Sequence, residues 1–201
     1  MEATQLSAII STRMSHDLIG NIGAVCNAVE LMEEGDTDFM SDISNILKVS
    51  SRVLSSRLKF FRMAFGLDNS NLTDAETVIK TSEEYIKTLG NPDNNGISIK
   101  LKLADITMSR IAMLTLMALT DTIVKGGVIE IEAAAGCVAG EVTSPAKLSQ
   151  EKYEKMKEIE EGNYPENLAL YAPIIALKAY AESQHKTISV KATSGIAIIV
   201  R

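Results

Sequence analysis

The feature that most limits what this chain can become is a pair of long helical patterns at its N-terminus, separated by almost nothing. From about residue 4 to residue 34 there is no proline, and Leu18, Ile22, Val25, Val29 and Met32 repeat in a 4-3-4-3 rhythm, the a/d spacing of a helical seam. Gly35-Asp36 interrupts the pattern, and Thr37 or Asp38 can cap the next helix. The second helix runs to about residue 65, with Met40, Ile43, Ile46, Leu47, Val53, Leu54, Leu58 and Phe61 as apolar positions and Gly66 as its stop. Two helices of roughly thirty residues with about four between them fold back as an antiparallel hairpin. Such a hairpin cannot enclose its own seam, and the second helix is apolar over more than one stripe. Two hairpins paired as a four-helix bundle would cover that surface, so a homodimer is expected. The C-terminal half of the chain is the other candidate cover.

After the polar run Asp68-Asn69-Ser70-Asn71 the texture changes. A helix is predicted over 74–88. A turn rich in Gly, Asn and Asp (90–96) leads into 97–103, which alternates at period two. A helix over 107–124 follows, stopped by Gly126-Gly127. Two strands over 128–134 and 137–143 are joined by a tight turn at Gly136. Helices over 149–161 and 165–184 precede a closing hairpin over 187–191 and 195–200. Helices and strands mixed in this order point to an α+β chain. It has a helical hairpin domain, residues 1–70, and an α/β sandwich domain, residues 71–201, with helices on one face of a mostly antiparallel sheet.

Charge excludes some partners. The formal net charge of -6 argues against nucleic acid or an anionic membrane, both of which select for basic patches. The two cysteines, Cys26 and Cys137, are far apart and read as free thiols of a reducing compartment. The N-terminus shows no signal-peptide pattern, and no run reaches the ~20 apolar residues of a membrane span. A cytoplasmic location is expected.

Of the two histidines, His185 beside Gln184 and Lys186 reads as a solvated residue past a helix end. His16 differs. At about 100° per residue it lies roughly 160–180° round the helix from Leu18 and Val25, and about 120° from Ile22. It therefore points away from the seam. Gly20 and Gly23 follow on its own face, and Asn27 continues the line. Each interior glycine costs about 0.5–1 kcal/mol against alanine, and close approach by another molecule is a reason for a helix to carry two. In-line phosphoryl transfer between two nucleophiles needs such access, and neutral imidazole offers one unprotonated nitrogen near physiological pH. Asp17 is adjacent and could orient the ring or manage its proton. Arg13 and Asn21 flank the site, and Ile19 adds an apolar contact. Arg13 could meet phosphate oxygens or a partner carboxylate, or it could form an ordinary surface pair with Asp17.

The run Arg13-Met14-Ser15-His16-Asp17-Leu18-Ile19-Gly20-Asn21-Ile22-Gly23-Ala24-Val25, with Asn27 and Glu30-Leu31-Met32, resembles the phospho-acceptor helix of the ChpT-type histidine phosphotransferases of alphaproteobacteria. The segment Arg57-Leu58-Lys59-Phe60-Phe61-Arg62-Met63-Ala64-Phe65-Gly66 and the stretch ending Val124-Lys125-Gly126-Gly127 are similar to that family too. The resemblance implies a dimer whose central four-helix bundle presents one histidine per subunit. It also implies a C-terminal domain like a degenerate ATP-binding domain of histidine kinases. Such proteins relay phosphate between receiver domains of a hybrid kinase and of response regulators. They need no cofactor of their own, because the receiver supplies an aspartate and Mg²⁺.

Two other readings stand beside the relay. An ATP-using kinase core of this fold needs a metal-binding Asn on the helix at 110–120 and glycine-rich adenine and phosphate segments. That helix has no Asn or Glu, and 142–147 has no glycine pair and no Asp. A dimeric adaptor that binds receivers without chemistry has no use for a histidine on a bare helix face. The relay reading gives His16, Asp17 and Arg13 the chemistry, and Ile19, Gly20, Asn21, Gly23 and Asn27 the docking surface.

Overall fold

The computed structural model describes residues 1–34, 39–67, 70–89, 96–143 and 146–201, with only the backbone of Asn71. The break expected at Gly35-Asp36 with its caps Thr37 and Asp38, most of the turn before Gly96, and Ser144-Pro145 lie outside the described residues. Two long helices open the fold, α1 (Ala3–Glu33) and α2 (Met40–Phe65). They pack along each other, and Ala28 and Ile43 are buried. α3 (Ala75–Ile86) follows, its first turn capped by Asp74, which accepts from the backbone N–H groups of Glu76 and Thr77.

The second lobe is built on a five-stranded sheet, formed by β1 (Ile97–Leu103), β3 (Gly127–Ala134), β4 (Cys137–Thr143), β6 (Ile188–Ala192) and β7 (Ile196–Val200). The strand order is β1-β3-β4-β7-β6. β1 runs parallel to β3, with Ile97 opposite Gly127, and the other pairings are antiparallel. The expected turn at Gly136 holds: Ala135 and Gly136 both have positive φ, 51° and 75°, which suits a two-residue hairpin. α4 (Ser109–Thr120) lies across β3, β4 and β7 on the inner face, with α3 against β1 and α5 (Gln150–Glu161) against β6, and α6 (Ala172–Ser183) packs on α4 and α1. The outer face carries alternating charges, including a Lys100–Glu130 pair at 2.7 Å between register partners.

Every residue of α4 is buried, which explains its apolar all-round pattern and marks it as the core helix. It ends at Thr120, not at residue 124 as expected. Ile123 and Val124 are β-branched and extend into β2 (Ile123–Lys125), which pairs with β5 (Lys147–Leu148). Gly126 and Gly127, at φ 64° and 116°, turn the chain from β2 into β3; the helix has already stopped. The helix expected from residue 165 begins as α6 only at Ala172. Pro173 stands in its first turn, where a missing N–H does no harm; deeper inside a helix it would remove a backbone hydrogen bond and clash with the carbonyl four residues back.

The apolar surface of the hairpin is divided. Leu6, Ile10, Met14 and Leu18 of α1 pack against the same core as Phe60, Phe61, Met63 and Ala64 of α2 and the inner face of the sheet lobe. Phe60 stacks on Tyr85 of α3, centroids 3.9 Å apart. Packing is thus continuous across the expected boundary at residue 70. The seam residues Ile22, Val29 and Met32 are exposed, as are Ile46, Val49 and Leu58. As expected, one hairpin leaves this stripe uncovered, because two helices share only one face. No helix among the described residues is long and apolar enough to cross a membrane.

Two measurements test this packing. A Cβ at Gly140 would sit 2.7 Å from Thr115 Cγ2 and 3.0 Å from Leu119 Cδ1, so Gly140→Ala should lose about 1–3 kcal/mol in denaturant unfolding. The Asp105 carboxylate accepts from the Thr107 hydroxyl, the Gly136 N–H and the Thr107 N–H, and these bonds hold it below the ordinary carboxylate range. The folded state then binds this proton more weakly than the unfolded chain. Its contribution is present above the ordinary Asp value of about 3.9 and is lost as pH falls through the depressed one. The stability gap between wild type and Asp105→Asn should therefore narrow as the pH falls below about 3.9.

Candidate functional site

α1 carries His16 clear of the packed body, with its side chain 79% exposed. Thr12, Gly20, Gly23 and Asn27 lie within about 40° of it round the helix; Thr12, Gly20 and Asn27 are exposed and Gly23 is half-buried. A Cβ built at Gly20 or at Gly23 meets nothing within 4 Å. Packing within the chain requires neither glycine, so the helix surface beside the imidazole is open. Ile19, 63% exposed, borders this face. Asn21 does not: it is half-buried and about 140° round from His16, on the side of Asp17. Its expected place on the docking surface is corrected. His185 is exposed beyond α6, as expected.

Arg13 makes the pair with Asp17 that was one of its two readings, and adds a second partner, Asp121, that the sequence did not announce. Its Nε donates to Asp17 Oδ2 at 2.8 Å, and its two terminal nitrogens donate to the two oxygens of Asp121, at 2.7 and 2.9 Å. The three side chains are only 15%, 16% and 18% exposed. This bidentate fork is the geometry that suits guanidinium and carboxylate best. Burial opposes the charge of Arg13, but hydrogen bonding and attraction by Asp121, then Asp17, hold its pKa above the ordinary value. Burial pushes the Asp121 carboxyl up, and the Arg13 fork draws it back. A guanidinium keeps its charge in proteins, so the pair is ionised. With its donors on two carboxylates, Arg13 is a clamp between α1 and the end of α4, and the reading of it as a phosphate ligand is corrected.

Asp17 links this clamp to the histidine. Its Oδ2 takes Arg13, while its Oδ1 lies 3.4 Å from His16 Nδ1. A carboxylate only accepts, so the contact favours the tautomer protonated at Nδ1 and leaves the Nε2 lone pair outward. Arg57 of α2 holds the same turn of α1. It donates to the backbone carbonyl of Asp17 and, at 2.7 Å, to that of Thr88 beyond α3. Thr12, Arg13, His16, Asp17, Asp121, Lys152, Ala169 and Leu170 line one cleft of about 270 Å³.

Sequence reasoning missed Asp121, Arg57 and Lys152. Asp121 stood inside a predicted helix, 108 residues from its partner, and Lys152 in the helix predicted over 149–161. Neither has a local signal; only the fold makes them neighbours of His16.

No family model matches the chain. Over 70 residues, 35% of its length, it is 41% identical to the protein phosphotransferase ChpT of Brucella abortus (strain 2308), and the match spans about a third of that relative, 32%. A solved structure of a bacterial phosphotransferase superposes on 100% of this chain and 98% of that one, with a TM-score of 0.72 at 24% identity. The likeness to ChpT-type phosphotransferases holds. The superposition shows one fold from end to end, helical hairpin and sheet lobe together.

Removing the charge of Asp121 while keeping its shape should expose the role of the clamp. Asp121→Asn is expected to lose about 1.5–3 kcal/mol in denaturant unfolding, the range for hydrogen bonds to charged groups. Gly20→Ala, which meets no neighbour, should instead gain about 0.5–1 kcal/mol.

Proposed function

We propose that this chain is a histidine phosphotransferase that relays a phosphoryl group between receiver-domain aspartates through a phosphohistidine at His16. One observation carries the reading: an exposed imidazole on a bare glycine face, with Nδ1 on a carboxylate and Nε2 free. In the transfer, the Nε2 lone pair forms the P–N bond. The acyl P–O bond breaks, and the receiver carboxylate leaves with its electron pair. The Nδ1 proton stays on the ring facing Asp17 Oδ1, which stabilises the positive charge that develops there. The reverse steps deliver the group to a second receiver. The Mg²⁺ that such a transfer uses comes with the receiver, and the reading places the chain in the cytoplasm.

Gly20, Gly23 and Asn27, with Ile19 at the border, form the docking surface in this reading, because a receiver can lie close to α1 only where side chains are small. The exposed stripe of Ile22, Val29, Met32, Ile46, Val49 and Leu58 pairs with a second copy as a four-helix bundle. A phosphorylated receiver incubated with the chain should leave acid-labile label on wild type and none on His16→Ala. In Gly20→Leu the fold is retained and the transfer rate falls at least tenfold; an unchanged rate would remove the docking model. Light scattering should give a dimer for wild type and a monomer for Val49→Glu.

A further inference from the structure

The cleft beside His16 is not made by α1 alone. Across it stand Lys152 on α5 and the turn at Ala169 and Leu170, so the sheet lobe builds one wall of the phosphoryl site. At about 30 Å³ per water, a cleft of about 270 Å³ has room for a phosphoryl group and its hydration. The charges around it are unequal in what they can offer. Arg13 is held by Asp17 and Asp121 through Nε and both terminal nitrogens. Releasing it would leave two poorly solvated carboxylates without their partner.

Lys152 is placed differently. Its Nζ lies 4.4 Å from the centre of the Tyr171 ring and makes one long hydrogen bond, 3.4 Å, to the Leu170 carbonyl. Asp121 feels its charge only at a distance; the carboxylates of Asp121 and Asp17 are both taken by Arg13. An ammonium has three donors that can turn, and the bond to Leu170 occupies one of them. The cluster Arg13, Asp17 and Asp121 sums to one negative charge, which Lys152 balances. A phosphoryl group on Nε2 brings up to two more negative charges to this wall, and Lys152 is the cation there with donors to spare.

We propose that Lys152, contributed by the sheet lobe, is the residue that binds and neutralises the phosphoryl oxygens carried by His16. The proposal rests on the phosphohistidine reading of His16. Tyr171 holds the ammonium at the cleft by cation–π attraction. The sheet lobe is then part of the phosphotransfer site itself, in addition to its role as a support for the hairpin.

The test uses the full chain and phosphoramidate, a small phosphoryl donor that needs no docking surface. Wild type, Lys152→Met, Lys152→Gln, Lys152→Arg and His16→Ala are labelled, and the phosphohistidine is followed by ³¹P NMR across pH. The expected result is a labelling rate about tenfold lower in Lys152→Met and Lys152→Gln. The second phosphoryl ionisation should also shift upward by about one unit, as expected for loss of an opposite charge nearby. Lys152→Arg should restore both. A purely structural lysine would alter the melting temperature and leave the ³¹P titration unmoved. An unchanged titration and rate in both neutral variants, with wild type labelled at His16, overturns the role of Lys152 and leaves the relay intact. Labelling of wild type no greater than that of His16→Ala overturns the relay and this proposal together.

Discussion

The guanidinium of Arg13 is the interaction on which the rest of the site depends. It stands on α1, three residues before His16, and is shared between a carboxylate of its own helix and one at the end of α4. Because α4 is buried along its whole length, Asp121 is fixed to the core of the sheet lobe. Through Arg13 that rigidity passes to the one turn of α1 that carries His16 and Asp17. Arg57 adds a second tie from α2 to the same turn. An exposed side chain on a long helix would otherwise share whatever motion the helix has; here its backbone is braced by both ties while its ring faces water.

Bracing also explains how the apolar surface of the hairpin is divided. The N-terminal half of α1 and the C-terminal end of α2 are drawn into the core of the sheet lobe, with Phe60, Phe61 and Met63 almost fully buried. The opposite end of the hairpin keeps its apolar stripe in solvent. The two covers expected for that surface, a second copy and the C-terminal half, are therefore complementary: the lobe takes one end and leaves the other for a bundle partner in the proposed dimer. His16 sits between these regions, on neither packed face, where a visiting domain meets a helix surface stripped to glycine.

Much of this was legible in the sequence wherever the signal is local. Helical spacing and the lack of proline placed α1 and α2 within a residue or two. Strict alternation placed β1, and the turn at Gly136 placed the hairpin of β3 and β4. The exposure of His16 followed from angular arithmetic against Leu18 and Val25, and the open space beside Gly20 and Gly23 from their position on the same face. Boundaries failed where two local signals competed. Ile123 and Val124 continue an apolar helical pattern but prefer extended backbone, and Pro173 delays α6 against an otherwise helical run.

What the sequence determined by itself is the periodicity of each element and therefore which side chains share a face, since 3.6 and 2.0 residues per repeat follow from backbone geometry alone. Tertiary structure decided which charges meet. Arg13 could have faced phosphate, solvent or Asp17, and it became a clamp only because the fold brings Asp121 to it across 108 residues. Lys152 likewise belongs to an ordinary charged helix until packing sets that helix across a cleft from His16. Pairings of this kind depend on how whole elements dock, and docking is governed by the apolar core, which carries no record in the local sequence of the charges it will bring together.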